Sequence, residues 1–492
     1  MSQRQDEIDY QPVATTGEDQ GHSSSSSCCR RPNCLIKARE MEKGHGICCC
    51  THGYMIPIFI LFVLVLVILL LPWNTFHRRE EQANHAVATP LPCQMQLVES
   101  LPIGLNFSDD SPSFLTTFEA FQWLISNAKI SLDIAAPYWT LRGVDINDSS
   151  TQQGEHLFQR LLANGDTGKP KIRLRIALNS NQESFWYADA RILANYGAAD
   201  VVAVNQMNSK LLIADNQHFY IGSSTMDFRS FTQVKELGVL AKNCPHLTRD
   251  VVKIFKAYWH VGSGNEIPSF WPWTYDSHFN RKHPILLNVS NKYTMKAFVS
   301  TSPPSLTATG RSQELEAVLN TIDTASSYIY IALRDYLPLL RMENKTKYWP
   351  DIDNALRKAA VDRKVVIKLL ISWWKHSEPS EEHFLRSLQD LNHLDENVDI
   401  QIRRFVVPSN DDLDRIPYSR FNYNSYMVTE NQAYIGSSTW SGEFFIQSTG
   451  VGLFLMDNFD NINGSLRIDL FNVFKRDWFS SYALALKPNL QI

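Results

Sequence analysis

Two short stretches of the chain place polar residues at the same offsets. The first reads Asn208-Ser209-Lys210-Leu211-Leu212-Ile213-Ala214-Asp215. The second reads Tyr423-Asn424-Ser425-Tyr426-Met427-Val428-Thr429-Glu430, and each is followed by YIGSST, at Tyr220–Thr225 and Tyr434–Thr439. In both, a strand-like apolar run separates a polar start from an acidic end. Lys210 offers one ammonium that can hold an anion, whereas Ser425 at the matching offset carries no charge. The carboxamide of Asn208 is no nucleophile near neutral pH. The phenol of Tyr423, with an ordinary pKa of about 10, is a poor proton shuttle.

The elements around these stretches repeat as well. Glu119-Ala120, Ile125 and Ala128 lead into an apolar strand at Ile130–Ala136, as Glu316-Ala317, Ile322 and Ala325 lead into Tyr328–Leu333 with the same spacing. Further strands are expected at Lys171–Leu178 and Lys364–Ile371. Helix, strand, strand and motif thus occur twice in one order, which predicts an α/β architecture of two duplicated lobes, residues 93–290 and 291–492, packed around a shared cleft.

Length and composition allow this. The chain has 492 residues, 44% hydrophobic, and its 47 basic and 51 acidic residues give a formal charge of -4, which excludes a strongly basic nucleic-acid coat. Residues 54–71 read YMIPIFILFVLVLVILLL without a charge and are expected to form a transmembrane signal-anchor helix. Arg30, Arg31, Lys37, Arg39 and Lys43 precede that run, against Arg78 and Arg79 after it, so the positive-inside bias predicts a cytosolic tail over residues 1–53 and a single-pass type II orientation. Residues 72–92 read as a stalk. The tail, with serines at 23–27, lacks apolar periodicity and is expected to be disordered.

Other residues fit a lumenal or extracellular ectodomain. N-x-S/T acceptors occur at Asn106, Asn147, Asn288, Asn344 and Asn463. Cys93 and Cys244 stand apart from the six cysteines of the tail; an oxidising lumen would pair them, and two free thiols is the alternative. Cys48, Cys49 and Cys50, just ahead of the apolar run, suit palmitoylation, with a bland cluster or a weak metal site with His45 and His52 as competing readings. Trp271, Trp273, Trp373 and Trp374 read first as packing residues and second as stacking platforms for exposed bases. Arg403 and Arg404 read as a solvated strand edge.

With these residues in hand, the region 93–492 resembles the phospholipase D superfamily, whose signature is H-x-K-x4-D followed by G-S-x-N, one copy per half. Met226–Ser230 with TQVKELGV at Thr232–Val239, Tyr348-Trp349-Pro350, Met427–Glu430 and Arg476-Asp477-Trp478 look like its type II membrane branch. That branch includes lysosomal third and fourth members, 5' exonucleases on single-stranded nucleic acid, and an inactive fifth member. The resemblance implies a cleft in which one histidine attacks phosphorus, the other serves as acid and base, and lysines and asparagines hold the non-bridging oxygens. No cofactor and no metal are implied.

This chain departs from the signature at most of its positions. Asn208 and Tyr423 occupy the histidine positions, Ser425 the second lysine, and Thr225 and Thr439 the asparagines; Lys210, Asp215 and the conservative Glu430 persist. Val201–Met207, the approach to the first motif, is shorter than the family has, and His218 reads as a structural neighbour. Loss of both imidazoles implies a pseudoenzyme. The expected partners are the lipid bilayer, a phosphate-containing ligand (single-stranded nucleic acid or phospholipid), and a second copy or an active relative. The expected location runs from endoplasmic reticulum and Golgi to the endolysosomal lumen, or the cell surface.

Overall fold

The structure, a computed structural model, describes residues 59–66 and residues 90–486 apart from 145, 147, 167, 169, 181–183, 344 and 459–463. The chain divides into two units, Met1–His85 and Ala86–Ile492. In the first, residues 59–66 are helical and their apolar side chains are exposed. Among the described residues no helix is long and apolar enough to cross a membrane. The remainder of 54–71, the tail with Cys48, Cys49 and Cys50, and residues 72–89 lie outside the described residues.

The second unit opens with β1 (Leu91–Ser100), so the last two residues of the expected stalk belong to a sheet. Helix α1 (Thr117–Asn127) is set by a capping box: Thr116 accepts from the backbone N–H of Glu119, while the Glu119 carboxylate accepts from that of Thr116. There follow β2 (Ser131–Ala135), α2 (Gln152–Leu162), β3 (Arg173–Asn179), α3 (Ala188–Asn195), β4 (Asp200–Val204), β5 (Leu211–Ala214), β6 (His218–Gly222), β7 (Glu236–Lys242) and α4 (Pro245–Gly262). The strands pair in the order β1-β7-β6-β5-β2-β3-β4, the last two pairings parallel and the rest antiparallel.

After β8 (Ile285–Val289) the pattern returns. The elements are β9 (Tyr293–Ser302), α5 (Glu314–Thr324), β10 (Tyr328–Leu333), α6 (Asp351–Arg363), β11 (Val366–Ser372), α7 (Glu381–Gln389), β12 (Ile400–Phe405), β13 (Ser425–Thr429), β14 (Gln432–Gly436), β15 (Gly450–Asp457) and α8 (Leu466–Trp478). Their order is β9-β15-β14-β13-β10-β11-β12 with the same directions. Strand n of the first sheet therefore matches strand n + 8, and helix n matches helix n + 4. The sheets are joined where Leu91–Cys93 of β1 pairs in parallel with Leu287–Val289 of β8, itself antiparallel to β9, and a parallel bridge between Lys235, just ahead of β7, and Asn422 ties the halves together a second time.

Period-two alternation sorts the strand residues into layers. Leu211, Ile213, Phe219 and Ile221 of the first sheet share a core with Tyr426, Val428, Ile435 and Leu453 of the second, completed by Val251 and Phe255 of α4 and Leu470 and Phe474 of α8. On the outer faces, Leu212 and Tyr220 pack with α1–α3, and Met427 and Tyr434 with α5–α7. The motif strands thus lie in the two central layers, and the site forms where these layers meet.

One expectation is corrected here. Arg403 and Arg404 do not form a solvated edge, because β16 (Ala483–Ala485) pairs with β12 beyond them. Arg404 is buried against Glu381 and Glu382 beneath Trp373, and Arg403 donates to the carbonyl of Trp478 at 2.7 Å.

Candidate functional site

Lys210 enters the site one residue before β5. Between β4 and β5 the chain has only a short link, in which Gln206 adopts a left-handed φ of 52° and accepts a hydrogen bond through its carbonyl from the N–H of Thr449. The Thr449 hydroxyl accepts from the N–H groups of Asn208 and Ser209 at 2.9 and 3.2 Å, and Ser209 bonds the Tyr258 hydroxyl of α4 at 2.8 Å. The short approach is thereby tied down to the opposite half.

Asn208, Lys210 and Tyr423 come together. The Lys210 ammonium donates to Asn208 Oδ1 at 3.0 Å, to the Ser437 carbonyl at 3.1 Å and toward the Tyr423 hydroxyl at 3.4 Å. It also lies 4.8 Å from the centre of the Tyr423 ring. Asn208 donates through Nδ2 to the same Ser437 carbonyl at 3.0 Å. An ammonium has three protons, and here each faces an acceptor of the chain. Burial lowers the Lys210 pKa to about 7. Burial likewise pushes the phenol of Tyr423 up.

Of the remaining signature residues, Thr225 lines the pocket beside Tyr423, whereas Asp215 and Glu430 lie away from it. Asp215, at φ 55°, accepts from the backbone N–H groups of Lys129, Ile130 and Ser131, each at 2.8 Å, and so fixes the entrance to β2. Glu430 does the same for Ser326 and Tyr328 ahead of β10. Ser425 is turned to the Ser438 carbonyl, Thr225 to the carbonyl of Tyr138, and Thr439 is buried. His218 accepts from the N–H of Asn243 and packs edge-on against Trp123, a structural neighbour as read.

Two buried carboxylates beneath the Gly-Ser pairs went unnoticed in the sequence. In the first half Glu236, at the start of β7, accepts from the hydroxyls of Ser223 and Ser230, and burial pushes it up to about 7. In the second half the equivalent strand position is Gly450, since Gly238 faces Gly222 as Gly452 faces Gly436. Glu314 of α5 fills that space instead, accepting from Ser302, Ser438 and Tyr434 at 2.8–2.9 Å. A Cβ on Gly450 would stand 2.3 Å from Glu314 Oε2. In the first half the helix position is Thr117, bonded to Ser100 at 2.6 Å. Each half therefore keeps one carboxylate but takes it from a different element.

Beside Tyr423 lies a pocket of about 290 Å³, walled by Tyr138, Trp186, Trp374, Tyr418 and Phe421. Trp374 stacks on Phe421 with centroids 4.2 Å apart, and Trp186 stands 5.1 Å from Tyr138 and 5.3 Å from Tyr418. Arg334, paired with Asp335 at 2.5 Å, lies 4.9 Å over the Tyr423 ring. On the Asn208 side a larger cleft of about 760 Å³ is lined by Tyr138, Arg341, Glu343, Lys345 and Glu443, with its charges balanced. Tyr138 borders both. Trp374 is thus a pocket wall rather than core, whereas Trp271 is buried and Trp273 is 82% exposed, contrary to a packing role.

Of the other sequence-read positions, Cys93 and Cys244 are joined as a disulfide. Asn106 is exposed and Asn288 half-buried on β8; Asn147, Asn344 and Asn463 lie outside the described residues.

A duplicated α/β sandwich with a lysine at the seam and paired Gly-Ser turns narrows the field, and comparison decides it. The family model described as PLD3/4, PLD-like domain matches residues 108–410. The chain belongs to this PLD3/4, PLD-like family. It is 42% identical over 402 residues to the human 5'-3' exonuclease PLD3, covering 80% of each chain. It is 37% identical over 429 residues to the mouse 5'-3' exonuclease PLD4, covering 84% of this chain and 82% of that one. A phosphatidylserine synthase of Haemophilus influenzae shares the PLD-like fold at a TM-score of 0.51 and 11% identity, over 84% of this chain and 92% of that one. The two motif starts of this chain hold a carboxamide, Asn208, and a phenol, Tyr423.

Proposed function

We propose that this PLD-like protein binds a phosphate-bearing ligand without hydrolysing it. The observation that carries this reading is the closed set of contacts among Lys210, Asn208, Ser437 and Tyr423. Attack on phosphorus needs a group that can form and later release a covalent bond, and neither Asn208 nor Tyr423 is placed and activated for it. The aromatic pocket favours a ligand with flat rings, so single-stranded nucleic acid is preferred over phospholipid, in keeping with the exonuclease names of the relatives. One lysine, already engaged, adds little affinity and no sequence reading.

The same proposal has the chain as a single-pass type II membrane glycoprotein of the secretory and endolysosomal system, palmitoylated at Cys48–Cys50 and glycosylated at Asn106, Asn147, Asn288, Asn344 and Asn463. It would pair with a second copy or with active relatives. The competing reading is an active lumenal phosphodiesterase, favoured by the names of its relatives.

The test uses the full chain in detergent with single-stranded oligonucleotides and bis-phosphatidyl substrates at acidic and neutral pH. The expected result is no turnover above buffer, together with binding of a phosphorothioate oligonucleotide that weakens at least tenfold in Trp374→Ala. Turnover that disappears in Lys210→Ala overturns the proposal.

A further inference from the structure

Helix α4 and strand β8 are joined by residues 263–284, a long connection whose underside is firmly held. Trp271 is buried, donates through Nε1 to the Ser305 carbonyl at 3.0 Å and packs 4.9 Å from Tyr275. The N–H of Ser277 donates to the Thr309 carbonyl at 3.0 Å, and Lys253 donates to that of Asp276. The outer side is the reverse. Ile267, Phe270 and Trp273 are 45%, 90% and 82% exposed, three large apolar side chains aimed at solvent from an anchored loop. Three such side chains within seven residues of one anchored connection are more than single apolar residues scattered on a surface.

The course of the chain points to what covers them. The uncharged run 54–71 ends 18 residues before Pro90, counting residues 72–89. Eighteen residues reach at most about 60 Å when fully extended, and less in any folded or coiled form. The sheet begins at Leu91, which pairs with Leu287, two residues beyond Ile285 where the 263–284 connection returns to the sheet. The tether and the aromatic loop therefore join the fold at the same end of two neighbouring parallel strands. Exposed tryptophan and phenylalanine suit the boundary between headgroups and acyl chains, even with Glu266 beside them.

We infer that Ile267, Phe270 and Trp273 form a second membrane contact, inserting into the interface of the bilayer that holds the apolar run 54–71. The inference rests on the proposed transmembrane reading of 54–71, and it does not depend on whether the central site turns over.

The experiment uses the full chain in nanodiscs of phosphatidylcholine and phosphatidylserine, with benzoylphenylalanine at position 270, at 273, or at Tyr196, which is 51% exposed and serves as the control. After irradiation, mass spectrometry is expected to find lipid adducts at 270 and 273 at least tenfold more often than at 196. Circular dichroism confirms that each substituted chain is folded. Equal adduct yields at all three positions, adducts to a second copy of the chain, or no lipid adduct at 270 and 273 in disc-embedded protein overturn the inference. A chain that does not enter nanodiscs overturns both this inference and the transmembrane reading.

Discussion

Lys210 and Asn208 answer each other across 3.0 Å: the one lysine of the two motif starts is held by the carboxamide two residues before it. With the Ser437 carbonyl accepting from both residues, the seam between the sheets is closed by its own polar groups. A ligand phosphate must break these contacts before it gains any.

The buried ammonium makes stability depend on pH. The folded pKa of Lys210 is lowered to about 7, below its unfolded value, so the unfolded chain binds more protons between about pH 7 and 10.5. Stability contributed at this position rises with pH across that window. The difference in unfolding free energy between the native chain and Lys210→Met should therefore grow by on the order of 3–5 kcal/mol from pH 7 to 10.5. Parallel urea titrations check this, and a flat difference contradicts it.

The carboxylates beneath the Gly-Ser turns should be exchangeable. Glu314→Thr removes the acceptor of three hydroxyls and should cost roughly 2–3 kcal/mol. Gly450→Glu alone forces a side chain against Glu314 and should cost at least as much. Together they rebuild the arrangement of Thr117 and Glu236, so a double-mutant cycle should show a favourable coupling above about 1 kcal/mol. Simple additivity would count against the equivalence.

Acid should attack a different cluster. Glu99 of β1 lies between Lys235 and Arg476, with Asp477 completing the group, all buried. Burial opposes its charge, but Lys235 and Arg476 prevail and hold the carboxyl down to about 2. A folded pKa below the unfolded one gives stability that is full above about pH 4.5 and lost as pH falls toward 2, on the order of 3 kcal/mol. Glu99→Gln should lose that acid limb and be less stable at neutral pH, as thermal unfolding from pH 2 to 7 would reveal.

Reduction of the Cys93–Cys244 disulfide, which closes a span of 151 residues, should lower stability by roughly 2–4 kcal/mol, measured with Cys93→Ala/Cys244→Ala against the native chain.

Much of the scaffold could be read from residue order. The strand expected at Tyr328–Leu333 is β10 residue for residue, and those at Ile130–Ala136, Lys171–Leu178 and Lys364–Ile371 differ from β2, β3 and β11 by one or two residues at their ends. These runs are short, apolar and bounded by polar turns, so local pattern and tertiary burial agree. The polar core of the site was less legible. Glu314 sits at a helix start, and only the register of β15 against β14 shows that it replaces a strand residue. Ser437 acts through its carbonyl, which every residue possesses. Tyr138, Trp186 and Tyr418 are widely separated in the chain and are gathered by the packing of the two halves. Arg404 looked solvated because the neighbour that covers its strand, β16, comes some eighty residues later.

The three-residue seam of β1 and β8 has a mechanical consequence. Together with the backbone bonds that Lys235 makes to Phe421 and Tyr423, it laces the two halves into one hydrogen-bonded fabric around a shared core, so they cannot gape like a clamshell without tearing the weave. Whatever guest the molecule admits must therefore be let in by swinging side chains, and the tempo of its arrival and departure will be that of rings such as Tyr138 and Tyr418 turning aside.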